Sequence, residues 1–124
     1  MEKKKILIVD DEENVRYLVK SILGKDNFIL EAKDGRVAVD MARNHRPDFI
    51  LMDIMMPNMD GYTACHTIKK DPITKAIPVV MLTALGQELN VKLSQEMGAN
   101  GHITKPFSAQ MLRDTVNQFL AKSQ

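Results

Sequence analysis

Cysteine is nearly missing from this chain. Cys65 stands alone among 124 residues, so no internal disulfide can form, and a reducing compartment is the setting its usage fits. Long hydrophobic runs are missing too: nothing approaches the ~20 apolar residues that span a bilayer, which excludes a membrane helix. Met1 to Lys5 is charged and leads into only a short apolar run, Ile6 to Val9. It lacks the core of a signal peptide, so the expected location is the cytoplasm. An excess of one charge is also absent, since 17 basic residues face 16 acidic ones for a net charge of +1. Without a long block of one sign, direct nucleic-acid binding is not expected, and Lys3 to Lys5 reads as a solvated lead-in to a strand. Internal repeats, low-complexity stretches and Pro/Gly/Ser linkers do not occur. Residues 1–124 are therefore expected to form one domain, with Met1 and the polar end Lys122-Ser123-Gln124 reading as natural termini.

What is present is ordinary globular material. With 44% hydrophobic and 27% charged residues, a chain this long can bury roughly two thirds of its unfolded surface and needs no metal to hold a core. Ile6 to Val9, Phe28 to Leu30, Phe49 to Met52 and Val79 to Leu82 are continuous apolar runs, as expected of strands buried on both faces of a parallel sheet. A weaker fifth run lies at His102 to Thr104. Helical periods separate them. Val15, Leu18, Val19, Ile22 and Leu23 form one core-facing stripe, and Leu112, Val116, Phe119 and Leu120 form another. Leu89, Leu93 and Met97 make only an i+4 row, which predicts a fourth helix with a narrower apolar face. Turn residues punctuate the series at Asp34-Gly35, Pro47-Asp48, Asp60-Gly61, Asp71-Pro72 and Gly98 to Gly101. The order is βαβαβαβαβα. Such a chain builds a parallel α/β sheet with right-handed crossovers, and ligands of an open sheet sit beyond the carboxyl ends of its strands.

Five chemically able residues stand just past those strand ends: Asp10 and Asp11 after the first, Asp53 after the third, Thr83 after the fourth and Lys105 after the fifth. Each has a plain alternative, because aspartates cap helices and open turns, and threonine and lysine end strands. Together they are harder to explain that way. Carboxylates ~4 Å apart repel by roughly 4 kcal/mol per pair at an effective dielectric near 20, a cost that capping does not require. A hard divalent cation such as Mg²⁺ would relieve it, since Mg²⁺ is held by one or two carboxylates together with phosphate oxygens. Lys105 would add a second positive charge for a phosphoryl oxygen, and Asp53 could then attack phosphorus as a carboxylate nucleophile.

The ordered motifs Ile6 to Glu12 (ILIVDDE), Ala32 to Gly35 (AKDG), Asp48 to Gly61 (DFILMDIMMPNMDG), Met81 to Ala84 (MLTA) and Gly98 to Phe107 (GANGHITKPF) resemble the receiver domains of two-component response regulators over essentially the whole chain. The resemblance implies a flavodoxin-like (βα)5 fold, a five-stranded parallel sheet in order 2-1-3-4-5 with helices on both faces. Chemotaxis receivers are a standard example of that order, which is carried over from the family. It further implies phosphorylation of Asp53, with Mg²⁺ on the carboxylates of Asp11 and Asp53, the backbone carbonyl of Met55 and, through water, Asp10. Thr83 would bind the phosphoryl group through its hydroxyl and Lys105 would pair with another of its oxygens. The Lys105-Pro106 bond would be cis, as is typical of the family. The implied partners are a sensor histidine kinase and either a downstream target or a histidine phosphotransfer protein. Such a chain is a phosphoacceptor switch and not an enzyme in the turnover sense.

One position departs from the family's usual pattern: His102 stands where Tyr or Phe commonly serves as the switch ring. It either takes that part or is a passive, half-exposed strand residue. Met52, Met55, Met56 and Met59, among nine methionines, read as padding of the core and of the loop after Asp53. Cys65 reads as a small buried residue of the third helix, and His45 and His66 as surface residues. Two rival chemistries fit poorly. A flavin or nucleotide carrier needs Gly or hydroxyl residues after the first strand, where Asp10-Asp11-Glu12 would repel phosphate. An aspartate-nucleophile phosphatase of the haloacid dehalogenase class would find Asp10 and Glu12 there but no following hydroxyl.

Overall fold

A computed structural model of the chain describes residues 3–84 and 91–122. Ten elements alternate along it: β1 (Lys4–Val9), α1 (Glu13–Leu23), β2 (Asn27–Ala32), α2 (Gly35–His45), β3 (Phe49–Asp53), α3 (Gly61–Lys70), β4 (Val79–Ala84), α4 (Val91–Glu96), β5 (Gly101–Lys105) and α5 (Ala109–Lys122). The strands form one parallel sheet in the order β2-β1-β3-β4-β5, as the resemblance implies. The Lys105–Pro106 bond is cis, again as implied.

Period-two alternation along the central strands divides the core into two layers. Ile6, Ile8, Phe49, Leu51, Val80 and Leu82 face Val19 and Leu23 of α1 and Leu112 and Val116 of α5. Leu7, Val9, Ile50, Met52, Val79 and Met81 face Ala38 and Ala42 of α2 and Ala64, Cys65 and Ile68 of α3. All five residues of β3 are buried, which is why its sequence is an unbroken apolar run that ends in a single aspartate. Each large side chain so buried contributes about 1.5–3 kcal/mol.

Two expectations of burial fail, one on β2 and one on α1. Phe28 lies on the edge strand and is 57% exposed, with the Lys3 ammonium 5.4 Å above its ring. An edge strand has no neighbour to extend the helical layer over it, so an apolar run there is only half covered. Leu18, assigned to the core stripe of α1, is 47% exposed. The buried α1 side chains are Val19 and Leu23, so the inward stripe is narrower than the periodicity suggests. Of the α4 row, Leu93 and Met97 are half-buried and Leu89 lies outside the described residues.

Strand order decides what meets at the carboxyl edge. Val9 pairs with Met52, so the next residues, Asp10 and Asp53, stand side by side at the centre of the sheet. Asp53 pairs with Leu82, and Ala84 with Lys105. Thr83 and Lys105 therefore close the same edge from β4 and β5.

Candidate functional site

Asp10 ends β1 with every polar group engaged. Its N–H donates to the Ala32 carbonyl at 3.1 Å, and its own carbonyl accepts from Nη1 of Arg16 at 2.7 Å. Oδ1 accepts from the Glu12 N–H at 2.9 Å, and Oδ2 accepts from Nζ of Lys105 at 2.9 Å. The carboxylate is fully buried, and burial of a charge is tolerable only with partners of this quality. The alternative that Asp10 or Asp11 merely caps α1 does not hold. The helix starts from Glu12, with no side-chain capping bond, and Asp11 is exposed.

Asp53 is buried at 7% exposure and lies 3.6 Å from the Lys105 ammonium through Oδ1. Burial, and after it repulsion from Asp10, push its carboxyl up to about 6, against the pull of Lys105; Asp11 adds to the rise. For Lys105, burial acts against the charged form, but the hydrogen bond to Asp10 and the charges of Asp10, Asp53 and Glu12 outweigh it and raise its pKa. One ammonium therefore faces more negative charge than it can balance.

Ligand oxygens of Asp10, Asp11 and Asp53 all lie within 4.8 Å of one another. An all-oxygen acidic set of this size, two of its members buried, fits a hard divalent cation. Thr83 completes the edge. It is 3% exposed, and its Oγ1 has no hydrogen-bond partner among the described residues. A buried hydroxyl left unpaired costs about 1–3 kcal/mol, so the edge holds a donor with nothing yet to donate to.

The response regulator receiver domain model matches residues 6–117. The chain belongs to that family. Among curated proteins, this receiver is 38% identical to protein PilH of Pseudomonas aeruginosa, over 94% of this chain and 98% of PilH. It spans about half the length or less of other curated relatives, including the alkaline phosphatase synthesis regulator PhoP of Bacillus subtilis (35% identity, 50% of that protein) and the response regulator PleD of Caulobacter vibrioides (44%, 24%). Among solved structures it is similar to the receiver domain of a sensor histidine kinase from Pseudomonas aeruginosa, described with a magnesium ion coordinated in its active site cleft. That likeness has a TM-score of 0.89 at 26% identity, over 97% of this chain and 99% of the other.

The receiver's edge thus gathers all five strand-end residues singled out from the sequence. His102 lies on β5 opposite Met81 and is exposed. Met52 is fully buried and Met56 and Met59 pack half-buried against the core, as expected of padding, whereas the Met55 side chain, two residues past Asp53, is 62% exposed. Cys65 is buried in α3 as expected, with burial pushing its thiol up to about 11. His45 is exposed and His66 half-buried. Sequence reasoning missed Arg16. Its guanidinium, 16% exposed, bridges the Asp10 carbonyl and Oε1 of Glu31, the latter at 3.1 Å. Nothing in its spacing marks it, because one contact is to a backbone carbonyl and the other reaches a different strand. No described helix is long and apolar enough to cross a membrane.

Proposed function

We propose that residues 1–124 act as a single receiver domain in the cytoplasm, in which Asp53 takes a phosphoryl group from the phosphohistidine of a sensor histidine kinase or from a small phosphodonor. The observation that carries this reading is the grouping of three carboxylates, one ammonium and one unpartnered buried hydroxyl at one sheet edge. The carboxylates of Asp11 and Asp53 and the Met55 carbonyl would hold Mg²⁺ directly, with Asp10 reaching it through water. When bound, the ion supplies positive charge that screens the attacking carboxylate from the phosphoryl oxygens.

Asp53 provides the nucleophilic oxygen. A new O–P bond forms as the N–P bond of the donor breaks, and the electron pair returns to the imidazole nitrogen, leaving an acyl phosphate on Asp53. Lys105, already 3.6 Å from Asp53, pairs with one phosphoryl oxygen, and the Thr83 hydroxyl donates to another. Movement of Thr83 vacates space into which the His102 ring turns, altering the surface near β5. That surface then binds a target protein. The match to PilH over nearly its full length supports a free-standing regulator of this kind. Similarity to receivers of histidine kinases supports a second output, transfer of the phosphoryl group to a histidine phosphotransfer protein. Neither output involves direct contact with nucleic acid, and the protein is a switch that accepts one equivalent and stops.

Incubation with acetyl phosphate and Mg²⁺, followed by intact-mass measurement, tests the central assignment. One added phosphoryl group is expected, and none when Mg²⁺ is chelated. Uptake at the wild-type rate by Asp53→Asn would remove Asp53 from the mechanism, and continuous turnover of a phosphate monoester would favour a phosphatase.

A further inference from the structure

The motif Ala32 to Gly35 has no part in the phosphoryl chemistry above, yet it is bound to the loop that does. Asp34 is 4% exposed and caps α2, its Oδ1 accepting from the Val37 N–H at 2.9 Å. Its other oxygen accepts from Nδ2 of Asn58 at 2.9 Å, 24 residues along the chain. Asn58 lies in the β3–α3 loop in the left-handed region, at φ 68°. Beside this contact the Gly35 N–H donates to the Met59 carbonyl at 3.2 Å. A Cβ on Gly35 would stand 2.4 Å from that oxygen, so the approach is open only to glycine.

The same loop is pinched at its base, where the Gly61 N–H donates to the Ile54 carbonyl at 2.8 Å. Between base and tip, Met56 and Met59 pack half-buried against the core, but Met55, Pro57 and Asn58 are exposed. Polar contacts add to that anchoring at the loop's exposed tip. Hydrogen bonds from the Val37 N–H and from Asn58 keep the Asp34 carboxyl below the usual carboxylate range, so the Asn58 contact is charge-assisted and correspondingly strong.

We infer that Asp34 and Asn58 are a positioning pair: by latching the tip of the β3–α3 loop to the start of α2, they hold the Met55 carbonyl where the proposed cation needs it. The inference rests on the reading of Asp53 and Mg²⁺ given above. Outer contacts that orient ligands typically change metal affinity by about 10–100-fold when removed. A latch three residues from the ligand belongs at the low end of that range.

Two variants of the full chain isolate it. Asn58→Gly accepts the left-handed backbone without strain and removes only the amide. Asp34→Ser keeps a good helix cap but is too short to reach Asn58. Calorimetric titration with Mg²⁺ should show affinity weakened by roughly 10-fold in each variant. The double variant should be no weaker than either single one, and every variant should remain fully folded at the titration temperature in chelator, although loss of a part-buried, charge-assisted hydrogen bond lowers its melting temperature. Wild-type affinity in Asn58→Gly overturns the latch and leaves the Asp53 reading intact. Weakening confined to variants that are partly unfolded at the titration temperature in chelator also overturns it, since that is loss of fold and not of position. If the wild-type chain itself binds no Mg²⁺, the reading of the site fails and takes the latch with it.

Discussion

The β1–β3 centre of the carboxyl edge and its β4 flank are built on opposite terms. At the centre, Asp10 has all its polar groups engaged and Asp53 shares Lys105 with it, so charges that repel one another are nevertheless held in place. On β4, Thr83 is equally buried but its hydroxyl has no partner among the described residues. The contrast teaches where the resting state is finished and where it waits. The centre has its acids and its one ammonium already in contact, the arrangement that the proposed cation and nucleophile require. In the proposed mechanism the flank gains its partner when a phosphoryl oxygen arrives.

Asp53→Asn strikes the centre hardest. Phosphoryl uptake from acetyl phosphate should disappear, while metal-free stability near neutral pH should rise by up to roughly 3 kcal/mol, the equivalent of about two pKa units. Linkage sets the sign. The folded carboxyl titrates at about 6 against 3.8 for the free group, so between those values the folded state binds the extra proton. Wild-type stability should therefore fall as pH rises from the free value through about 6 in chelator, and the Asp53→Asn curve should lack that step. Denaturant melts across this range would show it, and identical curves would mean that Asp53 is not an uncompensated charge.

Lys105→Met removes the ammonium that faces the buried acids. A loss on the order of 3 kcal/mol is expected in chelator, because Asp10 is left buried without its counter-charge. Added Mg²⁺ should recover part of it by binding the folded state alone. Since the Lys105 pKa is raised, its stabilisation is in force below the ordinary lysine value and fades only in alkali. An unchanged melt would show that the centre needs no pairing at rest.

On the flank, Thr83→Val replaces a buried unpaired hydroxyl with a methyl of the same shape. Resting stability should stay level or rise by about 1 kcal/mol. Amide shifts induced by beryllofluoride, a phosphoryl mimic, should shrink around β4 and β5. A destabilised Thr83→Val protein would mean that the hydroxyl is already bonded, which would erase the contrast. The smallest effect belongs to His102→Ala. An exposed strand side chain should alter resting stability by no more than about 0.5 kcal/mol. A switch ring would still change the beryllofluoride response, whereas a passive residue would leave it as in wild type.

Strand and helix placement was largely legible in the residues themselves. Unbroken apolar runs at Ile6 to Val9 and Phe49 to Met52 became the doubly covered centre of the sheet, and Asp10, Asp53, Thr83 and Lys105 stood out because each lies at a strand's carboxyl end. Phe28 and Leu18 misled because periodicity reports which residues share a face and says nothing of whether that face is covered. Coverage depends on a strand's position in the sheet, and β2 is an edge.

The linear chain by itself therefore determined the local content: the alternation of strand and helix, the apolar faces, the turn residues and the acids, hydroxyl and amine that follow the strands. Only the tertiary structure decided the contacts made across long sequence separations. Lys105 reaches Asp10 over 95 residues, Asn58 meets Asp34 over 24, and Arg16 meets Glu31 on β2 over 15. A hydrogen bond needs its atoms within about 3 Å at the right angle. No residue spacing encodes that distance until crossovers and strand order have brought the partners to one edge.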